Sequence, residues 1–275
     1  TPAEKYLTPF NLLLTVPFYG LQVAVIADLA ARYRLRWKTV YYLGLIYGIL
    51  EEGFAVQTML HPSGVGNVNV PPMLTRILGL DVAWAVYIDV FHSVVSVVST
   101  IIIIKLIWPS RVSEPFLRKK QYAVIVPILV AVYAAIIIFV VGATRYIPEA
   151  GALVVLALAC ASLGYLAVRN QRKTITSLSK PVPTRRYLFW ALGLALGFFP
   201  LTIIVLTGAG LPALNLPVII FTIAFGYLFS AFFGRMDTDP QLTEGKQLWI
   251  FLIFVGFWLV FPTILRTPLS SLAAY

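Results

Sequence analysis

Long apolar runs, separated by short polar and basic segments, make up the pattern of this chain. A helix needs about 20 residues to cross the hydrocarbon core of a bilayer, and eight runs are suited to that task. We therefore predict an all-α fold, a polytopic integral membrane bundle of eight transmembrane helices that forms a single domain over residues 1–275. The predicted spans are residues 9–31, 38–60, 82–107, 122–143, 151–168, 187–207, 214–233 and 248–265.

The composition agrees with a membrane protein. Hydrophobic residues make up 60% of the chain and charged residues 12%, with a mean hydropathy of +0.88. Ordinary soluble domains have roughly 45–50% and 25%, so a soluble protein is excluded. The single cysteine, Cys160, cannot form an internal disulfide, and its apolar surroundings predict a small buried side chain.

The distribution of basic residues predicts the orientation. Of the 21 Lys and Arg residues, 17 lie in or next to the loops that follow spans one, three, five and seven. Because cytoplasmic loops are enriched in Lys and Arg, these loops are predicted to face the cytoplasm and both termini to be extracytoplasmic, in a multi-pass protein of the cell membrane. The net charge of +10 then indicates contact with anionic lipid headgroups, and nucleic acid is not an expected partner.

Two adjacent carboxylates interrupt the second span. Glu51 and Glu52 lie about 13 residues into it, roughly 20 Å from its cytoplasmic end. A charged side chain at the bilayer centre costs on the order of 3 kcal/mol, so such a pair is rarely accidental. Gly44 and Gly48 precede the pair on the same span and predict a close approach of another helix.

A second polar group lies in the third span, which runs in the opposite direction. Asp89 and His92 are three residues apart and therefore share one helical face, which Ser96 and Ser99 continue. Since consecutive spans are usually neighbours, we expect Glu51, Glu52, Asp89 and His92 to converge at similar depth. The same groups could equally serve as structural hydrogen bonds between helices.

Three further expectations concern the connecting segments. Residues 61–81 are rich in Gly, Pro and Asn, and this long outer connection is predicted to cover the polar cluster, with His61 as an interfacial residue. Asp28 is expected to pair with Arg32, one helical turn later. The remaining acidic residues near the seventh span are expected in a solvated loop: Asp237, Asp239 and Glu244.

The segment "EEGFAV" followed by His92 resembles the CPBP family of intramembrane proteases, the CAAX-processing and bacteriocin-processing group. That resemblance implies an eight-helix bundle in which glutamates and histidines activate water for peptide cleavage. Val56 stands where that family has arginine, and no histidine follows His92. The stretch "YGILEEG" also resembles segments of uncharacterised bacterial and archaeal membrane proteins.

Three functional hypotheses follow. The first is a CPBP-like intramembrane hydrolase in which Glu51 or Glu52 is a general base and His92 orients the water or stabilises an oxyanion, with Asp89 orienting the histidine. In this hypothesis the same four residues are also candidate ligands of a divalent metal, since two carboxylates and a histidine suit zinc, manganese or iron.

The second hypothesis is a proton-coupled transporter, in which the carboxylates exchange protons. The third is a non-catalytic subunit of a larger membrane complex, with partner membrane subunits. Spans four to eight carry little chemistry, which fits this third hypothesis as well as the first.

Overall fold

The computed structural model describes residues 16–62, 76–108, 114–173, 182–207, 215–239, 241–243, 245–253 and 256. Three π-helical segments occur there: Val16–Gly20 leads into α1, Ile49–Ala55 follows α2, and His92–Ser99 joins α3 to α4. Residues 245–253 are also helical. The other elements are α1 (Leu21–Arg32), α2 (Trp37–Gly48), β1 (Arg76–Ile77), β2 (Leu80–Asp81), α3 (Val82–Phe91), α4 (Thr100–Ile107), α5 (Lys119–Thr144), α6 (Ala150–Arg172), α7 (Thr184–Thr207) and α8 (Asn215–Thr238).

The helical class is confirmed, and each predicted span overlaps a helix of the described chain. Four helices in these ranges are long and apolar enough to cross a membrane: Val82–Ile107, Lys119–Thr144, Ala150–Arg172 and Leu216–Thr238. Large apolar side chains on α5, such as Ile138 and Phe139, are more than 70% exposed. Such a surface is stable in lipid and unfavourable in water, which supports a membrane location.

A short hairpin precedes the third span and is not predicted by the sequence. β1 pairs antiparallel with β2, and the two residues between them, Leu78 and Gly79, both have positive φ. Two left-handed residues in a two-residue loop match the twist of the flanking strands. Asp81 then caps α3, because its carboxylate accepts a hydrogen bond from the backbone N–H of Trp84.

Helix α2 lies at the centre of the described bundle. It packs most extensively against the π-helical segment His92–Ser99 and against α6, and it also contacts α3 and α8. A Cβ added at Gly44 would come within 2.7 Å of the Ser93 Cα, and one at Gly48 within 2.6 Å of the Asp89 Oδ1. The predicted close approach at these two glycines is therefore confirmed, and it holds the second and third spans together.

Asp28 ties two segments together at one end of the bundle. Its carboxylate is fully buried and lies 2.9 Å from Arg32, which confirms the predicted pair. It also accepts hydrogen bonds from the backbone N–H groups of Phe116 and Leu117 and from the Tyr122 hydroxyl, at 2.6–2.7 Å. The segment that leads into α5 is thus anchored to α1.

The expectation of a solvated loop for Asp237 and Asp239 is wrong, whereas Glu244 lies outside the described residues. Asp237 ends α8 and accepts hydrogen bonds from the backbone N–H groups of Trp37 and Lys38, at 2.8 and 3.0 Å. It therefore caps α2, whose own N-terminal residue supplies no side-chain cap.

Asp239 is 6% exposed and accepts hydrogen bonds from the N–H groups of Val182 and Gln241 and from the Tyr187 hydroxyl. Burial by itself would raise the pKa of Asp239. The three hydrogen bonds outweigh burial, so the pKa lies below its ordinary value.

Candidate functional site

Both predicted glutamates lie in the π-helical segment that follows α2. The backbone N–H of Val56 donates to the carbonyl of Glu51, five residues back, at 2.8 Å. Gln57 then adopts a left-handed conformation, with φ of 64°, and ends the helix. This change of chain direction brings Thr58 next to Glu52, and the Thr58 hydroxyl donates a hydrogen bond to Glu52 Oε2. Short π-helical segments occur frequently at functional sites.

His92 begins the π-helical segment of the third span, and its ring lies between the two glutamates. Nε2 lies 3.2 Å from Glu52 Oε1, and Nδ1 lies 3.6 Å from Glu51 Oε2. The prediction that a glutamate lies within hydrogen-bond reach of His92 is confirmed. The two nitrogens of the imidazole ring point in different directions, and each faces one of the two carboxylates.

A chain of hydrogen bonds holds Glu52 and His92 in place. Trp84 Nε1 donates to the Thr58 hydroxyl at 3.1 Å, and that hydroxyl donates to Glu52. A carboxylate only accepts, so the nitrogen of His92 that faces Glu52 is the one that carries a proton. The opposite nitrogen, Nδ1, then accepts from the Ser96 hydroxyl at 3.2 Å.

Glu51 is not part of this chain of hydrogen bonds. Its side chain is fully buried, and neither carboxylate oxygen forms a hydrogen bond of good geometry with a described residue, although the hydroxyls of Tyr47 and Tyr19 lie near it. The neighbouring Tyr47 hydroxyl is also buried and forms no hydrogen bond of good geometry in the same part of the chain, and the Tyr47 ring packs edge-on against His92 at 5.5 Å. A buried carboxylate without a partner is costly, so the space beside Glu51 is suited to a water molecule or a cation.

Asp89 is buried near these residues but takes a different place. Its side chain packs against Gly48, and its Oδ1 has no hydrogen-bond partner among the described residues. The nitrogens of His92 face Glu52, Ser96 and Glu51. The hypothesis that Asp89 orients His92 is therefore corrected, since Ser96 and Glu52 contact the ring nitrogens instead.

Three of the four predicted residues have the geometry of a metal site. Glu51, Glu52 and His92 each offer one ligand atom, and these atoms all lie within 4.8 Å of one another. The group does not include Asp89.

An apolar groove of about 640 Å³ begins beside the cluster. Tyr47 and Ser96, which contact His92, form part of its wall. From there it runs between α1, which contributes Val23 and Ala24, and α4. Glu51, Glu52 and His92 do not line the groove themselves, but two residues that contact His92 do.

Little of the predicted covering loop is described, because residues 63–75 lie outside the described ranges. Thr58, which comes before this loop in the chain, contacts Glu52 and Trp84. His61 packs edge-on against Tyr146 at 4.9 Å.

Sequence reasoning does not identify Thr58, Trp84 or Tyr47 as site residues. Thr58 follows Glu52 by six residues, a spacing that places two residues on different faces of an α-helix. Only the π-helical segment and the left-handed Gln57 bring them together. Ser96 is visible in sequence, because it follows His92 by four residues.

No curated protein and no solved structure matches this chain. One family model does match, over residues 3–274, and it is described as an uncharacterized membrane protein family; it is not the CPBP family. A match over nearly the whole chain shows membership, so the protein belongs to this uncharacterized membrane protein family.

Proposed function

We propose that this protein is an intramembrane hydrolase that cleaves an ester or amide bond in a substrate drawn from the membrane. One observation carries the proposal. The fully buried Glu51 carboxylate accepts no hydrogen bond of good geometry from the described residues, with only the Tyr47 and Tyr19 hydroxyls near it, and it lies 3.6 Å from a histidine that two other side chains hold in place. A carboxylate that only stabilised the helix packing would be paired.

Glu51 is the general base of this proposal. Its free lone pairs accept a proton from a water molecule placed beside it, which makes that water a nucleophile. The water attacks the carbonyl carbon of the substrate, its proton passes to Glu51, and the proton then goes to the leaving alcohol or amine. The low dielectric of the buried site strengthens each of these interactions.

Glu52 and His92 position the reaction. The hydrogen bond from Thr58 holds the Glu52 carboxylate, and Glu52 in turn holds the ring of His92. The histidine therefore presents a fixed edge toward Glu51 and the reacting carbonyl.

The apolar groove supports a substrate from the membrane. Its volume of about 640 Å³ lies within the range of about 300–1,000 Å³ that is usual for ligand pockets. Its end at Tyr47 and Ser96 lies next to His92.

The proposal includes the topology. Eight spans with extracytoplasmic termini place 17 of the 21 basic residues at the cytoplasmic side of the cell membrane. Anionic lipid headgroups are then the partners of the basic loops.

The test does not require the substrate to be known. Purified protein is incubated with lipid and peptide extracts of membranes in water enriched in ¹⁸O, and the products are examined by mass spectrometry. Hydrolysis places one ¹⁸O atom in each new carboxylate. We expect labelled products with the wild type and a loss of about 100-fold or more with Glu51→Gln, because an amide cannot accept the proton.

Glu114→Gln is the matched control, since Glu114 is exposed and outside the cluster. Its labelling should equal that of the wild type. Equal labelling by the wild type and Glu51→Gln, or no labelled product from folded wild-type protein, would refute the hydrolase. The second result would favour a transporter or a non-catalytic subunit.

A further inference from the structure

The three residues Glu51, Glu52 and His92 form a largely buried acidic cluster around one imidazole. Two carboxylates face a single imidazole there, and His92 is the only ion-pair partner that either glutamate has among the described residues. Asp89, 9% exposed, adds a third acidic group nearby. Buried charges in proteins are paired or coordinate metals.

Glu51 gives independent evidence of a missing ligand. It is fully buried, neither of its oxygens forms a hydrogen bond of good geometry in the described ranges, and it faces His92. The cluster is not closed on every side, because the Glu52 side chain is 13% exposed. An ion can therefore enter past Glu52 and reach Glu51, the innermost carboxylate of the cluster.

From these observations we infer that Glu51, Glu52 and His92 bind one divalent transition-metal ion. Carboxylate oxygens and an imidazole nitrogen together suit zinc, manganese and iron, and among these zinc binds such sites most tightly. Three protein ligands leave a further position open for water, as in catalytic zinc sites.

The distances suit such an ion after a small closure. Ligand atoms about 2.0–2.1 Å from a tetrahedral zinc lie roughly 3.4 Å apart. His92 Nε2 and Glu52 Oε1 are already 3.2 Å apart, while the whole set of ligand atoms spans up to 4.8 Å. The ligand atoms must therefore close by on the order of 1 Å around the ion, and Glu51, which forms no hydrogen bond of good geometry, is free to contribute to that movement.

The ion takes the place of the proton that His92 now shares with Glu52. The other ring nitrogen, Nδ1, then carries the proton and donates to Ser96, 3.2 Å away. A hydrogen bond on the second nitrogen is the usual arrangement for a metal-bound histidine, and it fixes the ring. Thr58 holds Glu52 in the same way from outside the ligand set.

This inference rests on the proposed hydrolase and changes one role in it: with an ion bound, Glu51 would be a ligand, and the ion would supply the acidity that the water needs. It is tested by a readout other than activity. The full chain is purified in detergent, stripped with a chelator, and titrated with Zn²⁺; bound metal is measured by mass spectrometry and stability by thermal unfolding. We expect about one Zn²⁺ per chain and a melting temperature that rises with zinc concentration.

The choice of variants separates ligands from neighbours. Glu51→Gln should lower zinc affinity by more than about 100-fold, since even a residue outside the ligand set costs 10–100-fold. Asp89→Asn is the matched control: it removes a buried carboxylate that is not a ligand, so its loss of zinc affinity should be much smaller than that of Glu51→Gln. If Glu51→Gln does not fold, Glu52→Gln tests the same site.

Two results would overturn the inference: folded wild type that binds less than about a tenth of an equivalent of zinc, or an unchanged affinity in Glu51→Gln and Glu52→Gln. These results are distinct from failure of the hydrolase. Labelled products without zinc would leave the hydrolase standing with a metal-free Glu51 base. Zinc binding without labelled products would leave a metal site whose role is not hydrolysis.

Discussion

The contact between α2 and the third span can be tested with a single methyl group. In Gly44→Ala, the new Cβ would lie 2.7 Å from the Ser93 Cα and 2.9 Å from the Ser93 Cβ, whereas ordinary contact begins at 3.4 Å. A backbone atom cannot rotate away, so the two helices must separate by about 0.7 Å, the difference between 3.4 and 2.7 Å.

This separation has a cost in stability and a consequence at the site. Overpacking costs about 1–3 kcal/mol, and alanine recovers about 1 kcal/mol through its better helix propensity. The net loss is up to about 2 kcal/mol, and melting should fall by up to about 4–8 °C if roughly 2–4 °C corresponds to each kcal/mol. The 3.2 Å contact between His92 and Glu52 bridges the same two spans, so ¹⁸O labelling should fall too.

Gly164→Ala is the matched control for this prediction. Gly164 lies within α6, and an added Cβ meets nothing within 4 Å. The same substitution there should leave the melting temperature unchanged or raise it, because only the propensity term remains. The assay is thermal unfolding of both variants in one detergent. A Gly44→Ala protein that melts at or above the wild-type temperature would show that the helices are not packed as tightly as the structure has them.

Three further predictions concern other parts of the molecule. Thr58→Val should reduce ¹⁸O labelling and lower zinc affinity by about 10–100-fold, because the Glu52 carboxylate loses its donor, and Thr58→Ser should restore both; labelling at the wild-type level in Thr58→Val would contradict this role. The folded-state pKa of Asp239 lies below its unfolded value, so its contribution to stability is complete above that unfolded value of about 4 and is lost as pH falls through the folded pKa. Asp239→Asn should flatten the acid side of a plot of melting temperature against pH, and an unchanged profile would refute this. In a cysteine-free background, Phe116→Cys and Leu178→Cys should react only with reagents that enter the cytoplasm, and labelling of either from outside intact cells would overturn the topology.

The helical segments of this protein are readable from the sequence. Apolar runs predict helices because a chain in lipid must satisfy its backbone hydrogen bonds internally, and each predicted run overlaps a helix of the described chain. The pair of Gly44 and Gly48 and the pair of Asp28 and Arg32 are also readable, because both depend on spacing along one helix.

The meeting of Glu52 with His92 is predictable for a related reason. Both residues are polar groups within apolar spans that are consecutive in the chain, and such spans usually lie side by side. Unpaired polar groups in an apolar environment are costly, so they tend to find one another.

Other features depend on the tertiary structure. The sequence does not predict that Asp237 caps a helix that begins 200 residues earlier in the chain, because the cap exists only once α8 packs against α2. The same holds for Asp239, whose burial depends on Tyr187 and Val182. A polar segment after a span therefore does not imply a solvated loop.

The site shows most clearly which features the sequence predicts and which only the tertiary structure decides. Residue types and spacing identify Glu51, Glu52 and His92, since carboxylates and a histidine are rare within spans. The assignment of Thr58 to Glu52 and the exclusion of Asp89 from the ligand set depend on side-chain directions. Those directions follow from two π-helical segments and the left-handed Gln57, and a pattern based on regular α-helical geometry cannot contain them.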